Sequence, residues 1–116
     1  MSRRSSAAPV LGEFELVVLL AVLGLGDRAY PVTIRDAIEA RTGRKVSRPA
    51  VFITLERLED KGLVRSWYGD PTPVRGGRAK RFFQATNAGR TAVQASLDAV
   101  SAMTEGLELK TKLKQM

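Results

Sequence analysis

A chain of 116 residues with no Cys and no His fits one domain with a trailing helix. It excludes a disulfide framework, thiolate chemistry, the commonest catalytic base and the commonest neutral metal ligand. The formal net charge of +7 suits a polyanionic partner, nucleic acid or an anionic membrane surface, and charge alone is met equally by a soluble protein that is simply basic.

Residues 1–9 are small, polar and Ser-rich and read as a mobile arm. The apolar run from Leu16 to Leu23 is too short to cross a bilayer, which needs about 20 apolar residues. Glu13 and Glu15 at its leading edge, and the lack of a cleavage region, argue against a signal peptide. The expectation is a cytoplasmic protein with no membrane partner. Residues 10–25 predict a helix that is apolar almost all round after Glu15, hence central in a core, with Gly24 and Gly26 as its stop.

Pro31 opens a second helix, since its missing N–H costs nothing in a first turn. Ile34, Ala37, Ile38 and Arg41 share one face, and Gly43 ends it. The third helix is the best signposted. Ser47 is a good N-cap, Pro49 is tolerated in the first turn, and Val46 and Val51 occupy the two positions of a hydrophobic staple. Val51, Leu55 and Leu58 form its buried stripe, and Gly62 closes it.

Residues 63–68 and 80–85 are short aromatic-containing runs that predict two strands. The segment 69–79 between them is too rich in Pro and Gly for regular structure, so the pair is a long-looped hairpin. Apolar residues occur at both parities, so the pattern leaves open which strand face is buried. Thr86 caps a last helix, on which Val93, Leu97, Val100, Thr104 and Leu107 recur at spacings of four and three, a heptad seam. Gly106 weakens that helix near its end.

The order is helix, helix, helix, hairpin, long helix. It predicts a mainly α fold with a small β-hairpin: a winged helix-turn-helix over residues 10–86, preceded by the arm 1–9 and followed by a C-terminal dimerisation helix and tail over 87–116.

The third helix is the candidate recognition element, its N-terminal half entering a major groove. Ser47 and Arg48 are placed for phosphate or a base edge, and Pro49, Ile53 and Arg57 lie opposite the apolar stripe. Ile53 there suits a thymine methyl, or is an ordinary exposed apolar residue. By count the helix is neutral: Arg48, Arg57 and Lys61 are balanced by Glu56, Glu59 and Asp60. The wing holds the imbalance, with Arg65, Arg75, Arg78, Lys80 and Arg81 opposed by Asp70. Arg75, Arg78, Lys80 and Arg81 are therefore the expected phosphate anchors, against the alternative of a solvated basic loop. Arg3 and Arg4 suit a minor-groove arm or a disordered tail. Val93, Leu97, Val100 and Leu107 are the expected dimer seam, unless they pack on their own domain. Phe14 and Met103 suit an apolar inter-subunit pocket or plain core packing.

No GxxxxGK[ST] or GxGxxG motif occurs, and Asp27, Asp36, Asp70 and Asp98 are scattered among elements. The reading is therefore not an enzyme, with neither catalytic residues, metal nor cofactor. The alternative from another class is a winged-helix adaptor that binds protein and never DNA.

The sequence resembles the PadR family of bacterial transcriptional regulators, in its compact branch with a single C-terminal helix. The resemblance rests on Leu11-Gly12-Glu13-Phe14-Glu15, Val46-Ser47 with Ala50-Val51-Phe52, Leu55-Glu56-Arg57-Leu58-Glu59-Asp60-Lys61-Gly62-Leu63-Val64, Arg75-Gly76-Gly77-Arg78-Ala79-Lys80-Arg81-Phe82-Phe83 and Ala88-Gly89. Phe52 stands where the family usually has Tyr, which removes a hydroxyl suited to phosphate; Pro31, Pro49, Ile53 and Asn87 also depart from the pattern. The resemblance implies a homodimer on double-stranded DNA, acting as a repressor, with a small aromatic or lipophilic ligand as its release signal. It also makes Phe52 a DNA-facing position.

Overall fold

The computed structural model describes residues 10–70 and 79–108. Four helices and a hairpin follow in the expected order: α1 Glu13–Leu25, a 3-10 turn Gly26–Arg28, α2 Pro31–Thr42, α3 Arg48–Asp60, β1 Val64–Tyr68, β2 Arg81–Ala85 and α4 Asn87–Thr104. The winged helix-turn-helix order is realised.

The helix ends follow local chemistry. α1 begins three residues later than the apolar pattern suggests. Gly12 is extended there, and the Glu15 carboxylate reaches back to accept from its N–H at 2.9 Å. The helix runs through Gly24 and stops at Gly26, whose φ is +62°. Pro31 starts α2, and Gly43 closes it in the left-handed conformation. The Ser47 Oγ accepts from Ala50 N–H at 3.1 Å, capping α3. Thr86 does the same for α4, accepting from Gly89 N–H at 3.0 Å while donating to the Gly62 carbonyl at 2.8 Å. One side chain thus joins the end of α3 to the start of α4.

The core collects Val18, Leu19 and Val22 of α1, Ile34 and Ile38 of α2, Val51, Leu55 and Leu58 of α3, Leu63, Val64, Phe83, and Ala92 and Val93 of α4. Burying each larger aliphatic or aromatic side chain contributes about 1.5–3 kcal/mol relative to exposure. The Phe83 N–H donates to the Ala29 carbonyl at 2.9 Å, tying β2 to the segment before α2.

Antiparallel pairing sets Val64 opposite Ala85, Ser66 opposite Phe83 and Tyr68 opposite Arg81. This register decides what the sequence left open. Val64 and Phe83 turn to the core, and Ser66 and Arg81 share their face. Arg65, Trp67, Phe82 and Gln84 take the other. On that outer face Trp67 stacks on Phe82, and Tyr30 meets Phe82 edge-on.

Two expectations for the last helix are corrected. Val93 is buried in its own domain, and Leu107 lies past the helix, which ends at Thr104 because Gly106 takes φ +84°. No unbroken seam from Val93 to Leu107 forms. Leu97, Val100 and Met103 remain exposed along the second half of α4.

Candidate nucleic-acid interface

The outward face of α3 is built by exclusion. Val51, Thr54, Leu55 and Leu58 are buried, which turns Pro49, Phe52, Ile53 and Arg57 to solvent. Thr54 belongs to the buried stripe although its polarity hid it. Ile53 is 55% exposed and Phe52 39%. Arg48 projects from the first turn. Ser47 spends its oxygen on the cap, and its hydroxyl proton remains able to donate outward.

The charges sort themselves. Lys61 Nζ pairs with Glu15 at 2.9 Å, behind the helix. Burial disfavours the Glu15 carboxylate, but the Gly12 amide, the Lys61 ammonium and the field of Arg57 outweigh it and hold its pKa below the usual value. Glu56 and Glu59 both turn to Arg81, at 2.7 Å each. A helix that is neutral by count therefore presents Arg48 and Arg57 against Asp60 alone, and none of these three has a salt bridge among the described residues.

Arg81, expected to anchor the wing on phosphate, faces inward. Its Nη1 and Nη2 hold the two glutamates, and its Nε donates to Ser66 Oγ at 3.1 Å. The Ser66 hydroxyl in turn hydrogen-bonds Glu59. The rings of Phe52, Tyr68 and Phe83 lie 5.1–5.9 Å from the guanidinium carbon. Burial opposes the charge, but the paired carboxylates hold the Arg81 pKa above its ordinary value. Sequence reasoning missed this because Arg81 follows a basic run and reads as part of it.

Lys80, one residue earlier, takes the opposite strand parity and is exposed, its Nζ 5.1 Å from the centre of the Tyr30 ring. It stands across an open cleft from Arg48. The cleft encloses about 830 Å³ and is lined by Tyr30, Val32, Arg48, Pro49, Phe52, Lys80 and the edge of Arg81 among others. Tyr30 was not among the expected site residues, and the proline that follows it, read as a helix start, was the only signal there. Lys45 is exposed in the segment before Ser47. Arg75 and Arg78, with Gly76 and Gly77, lie outside the described residues, as do Arg3 and Arg4.

An apolar groove of about 490 Å³ lies between α1 and α2, lined by Val17, Leu20, Ala21, Leu25, Ala37, Ile38 and Arg41 among others. Phe14 is half-buried under Arg44 and Met103 is exposed on α4, and neither lines this groove.

Known proteins share this architecture. The model of the transcriptional regulator PadR-like family matches residues 19–95. No curated protein gives a significant match. Among solved structures, the chain is similar to RosR of H. salinarum, with 23% identity over 93% of this chain and 89% of that one and a TM-score of 0.64. A transcriptional regulator from Clostridium thermocellum is 18% identical over 78% and 85%, with a TM-score of 0.66. A PadR family transcriptional regulator from Eggerthella lenta is 17% identical over 82% of both chains, with a TM-score of 0.64. These likenesses are of fold.

Proposed function

The chain belongs to the transcriptional regulator PadR-like family, and from that premise we propose that it is a cytoplasmic, homodimeric repressor that reads DNA with α3 and grips the backbone with the wing. One observation carries the reading: the outward face of α3 offers Arg48, Ile53 and Arg57 while its acids Glu56 and Glu59 are turned onto Arg81. Phosphate contacts position and base contacts specify. Arg48, Lys45 and Lys80 take the first role, joined by Arg75 and Arg78 in the wing loop. Ile53, with Phe52 and Ser47 beside it, takes the second, and Arg57 reaches either. The cleft between Arg48 and Lys80 is the seat for one DNA strand.

Dimerisation rests on α4, whose second half leaves Leu97, Val100 and Met103 exposed among the described residues. The groove between α1 and α2 has a volume typical of small-ligand sites, about 300–1,000 Å³, and is the seat for a lipophilic effector. Domain limits of 10–86 for the DNA-binding part and 87–116 for the dimerisation part fit this division of labour.

The test is a binding titration of the full chain against random duplex at two salt concentrations. Binding that weakens steeply with salt is expected, because cations displace condensed counterions. A chain that binds neither at low nor at high salt returns the reading to the protein-binding adaptor. A two-fold dimer further requires an inverted repeat with half-site centres about 10 bp apart, or a multiple.

A further inference from the structure

We propose that Arg81 is a positioning residue for DNA recognition: it contacts no DNA, and it holds the hairpin on α3 while cancelling two carboxylates that would otherwise confront the phosphates. This rests on the reading of α3 as a DNA-binding helix.

The geometry has three parts. Arg81 sits at the first position of β2 and shares the inward strand face with Phe83, whereas Lys80 faces solvent. Its guanidinium spreads over Glu56, Glu59 and Ser66, so one cation joins α3, β1 and β2 through hydrogen bonds of 2.7, 2.7 and 3.1 Å. Its side chain is 20% exposed and bordered by Phe52 and Phe83. Moving it onto a phosphate at the expense of these partners would leave two half-buried carboxylates unpaired, a costly exchange. An arginine fork suits this role because its fixed planar donors satisfy two acceptors at once, which a lysine ammonium does only as a point charge.

The consequence is electrostatic as well as mechanical. Glu56 and Glu59 are three residues apart and so share one helix face. They flank Arg57 in sequence, Glu56 about one turn and Glu59 about two turns beyond Phe52 and Ile53. Freed from Arg81, they would add two negative charges beside the residues that meet DNA. The hairpin, and with it Lys80, would lose its only ion-paired tie to α3 among the described residues.

The experiment compares the full-length wild type, Arg81→Met, the triple variant Arg81→Met/Glu56→Gln/Glu59→Gln and Arg81→Lys. Each is titrated against a duplex selected from a random pool at several salt concentrations, and near-ultraviolet spectra and melts check the fold. Arg81→Met is expected to weaken binding by about ten-fold or more, since like charges facing each other across an interface are strongly unfavourable. The loss should shrink with added salt, which screens the freed acids. The triple variant should recover most of the affinity at the wild-type slope, and Arg81→Lys should fall between. The spectra and melts separate a folding defect, because the loss of affinity is read only under conditions where Arg81→Met is folded.

A slope flattened by about 0.9 per subunit in Arg81→Met, with no recovery in the triple variant, means that Arg81 touches phosphate and overturns the proposal. Unchanged affinity in a folded Arg81→Met overturns it as well. Should Arg81→Met fail to fold, the triple variant decides: wild-type slope with near wild-type affinity supports the positioning role, and a flattened slope overturns it. A wild type that binds no duplex removes the parent reading itself, a result distinct from all of these.

Discussion

Gly89 lies so close to Leu63 that a β-carbon on it would come within 2.1 Å of the Leu63 carbonyl oxygen and 3.1 Å of its carbon. The first turn of α4 is thereby pressed onto the start of β1. Both offending atoms are backbone and cannot step aside as a side-chain tip would. Gly89→Ala is expected to destabilise by about 1–3 kcal/mol, the range for overpacking a close-packed interior. Gly24→Ala is the control, because that position is helical and has nothing within 4 Å. It should be neutral or stabilising, by up to about 1 kcal/mol. Urea unfolding midpoints check both, and equal midpoints for the two variants would refute the close approach.

The Glu15–Lys61 pair gives a pH signature. The folded pKa of Glu15 is depressed below 4.5 despite burial, through the Gly12 amide, Lys61 and Arg57. A depressed carboxyl contributes stability at pH above its unfolded pKa, and that contribution is lost as pH falls through the folded value. Glu15→Gln keeps an acceptor for Gly12 but removes the charge. The wild type should be more stable than the variant at pH 7, with the gap closing below about pH 4.5. Melts at stepped pH read the difference; a constant gap from pH 7 to 3 would refute it.

Leu97→Glu and Val100→Glu test the dimer. In the single chain these side chains are 40% and 56% exposed, so the substitutions should spare the fold of each subunit. In an apolar interface they would strand an unpaired charge. Sedimentation at micromolar concentration should show a wild-type dimer and folded monomeric variants. A wild-type monomer would refute the dimer.

Ile53→Ala and Lys80→Ala separate reading from gripping. Lys80→Ala should weaken binding to all duplexes alike and flatten the salt slope by about 0.9 for each phosphate that a subunit no longer neutralises. Ile53→Ala should keep the slope and erode discrimination at one base pair per half-site, by about 1 kcal/mol, the lower end for direct readout. Isotherms on the preferred site and its single-base variants measure both, and an exchange of these two behaviours would reverse the roles.

The local features of the chain were determined by residues close in sequence. Pro31 and Gly43 bound α2, Ser47 caps α3, Thr86 caps α4, and each acts through hydrogen bonds or dihedrals spanning a few positions. The stripe of Val51, Leu55 and Leu58 follows from helical period alone. The tertiary structure decided the rest, because the deciding partners are far apart. Which hairpin face is buried depended on the register that puts Ser66 opposite Phe83, and both parities of the sequence are apolar. Arg81 meets Glu56 and Glu59 across 25 and 22 residues, and Lys61 meets Glu15 across 46. A tally of charges from Arg48 to Lys61 gives zero; only folding, by bringing Arg81 of β2 and Glu15 of α1 to the flanks of α3, determines which charges remain for DNA.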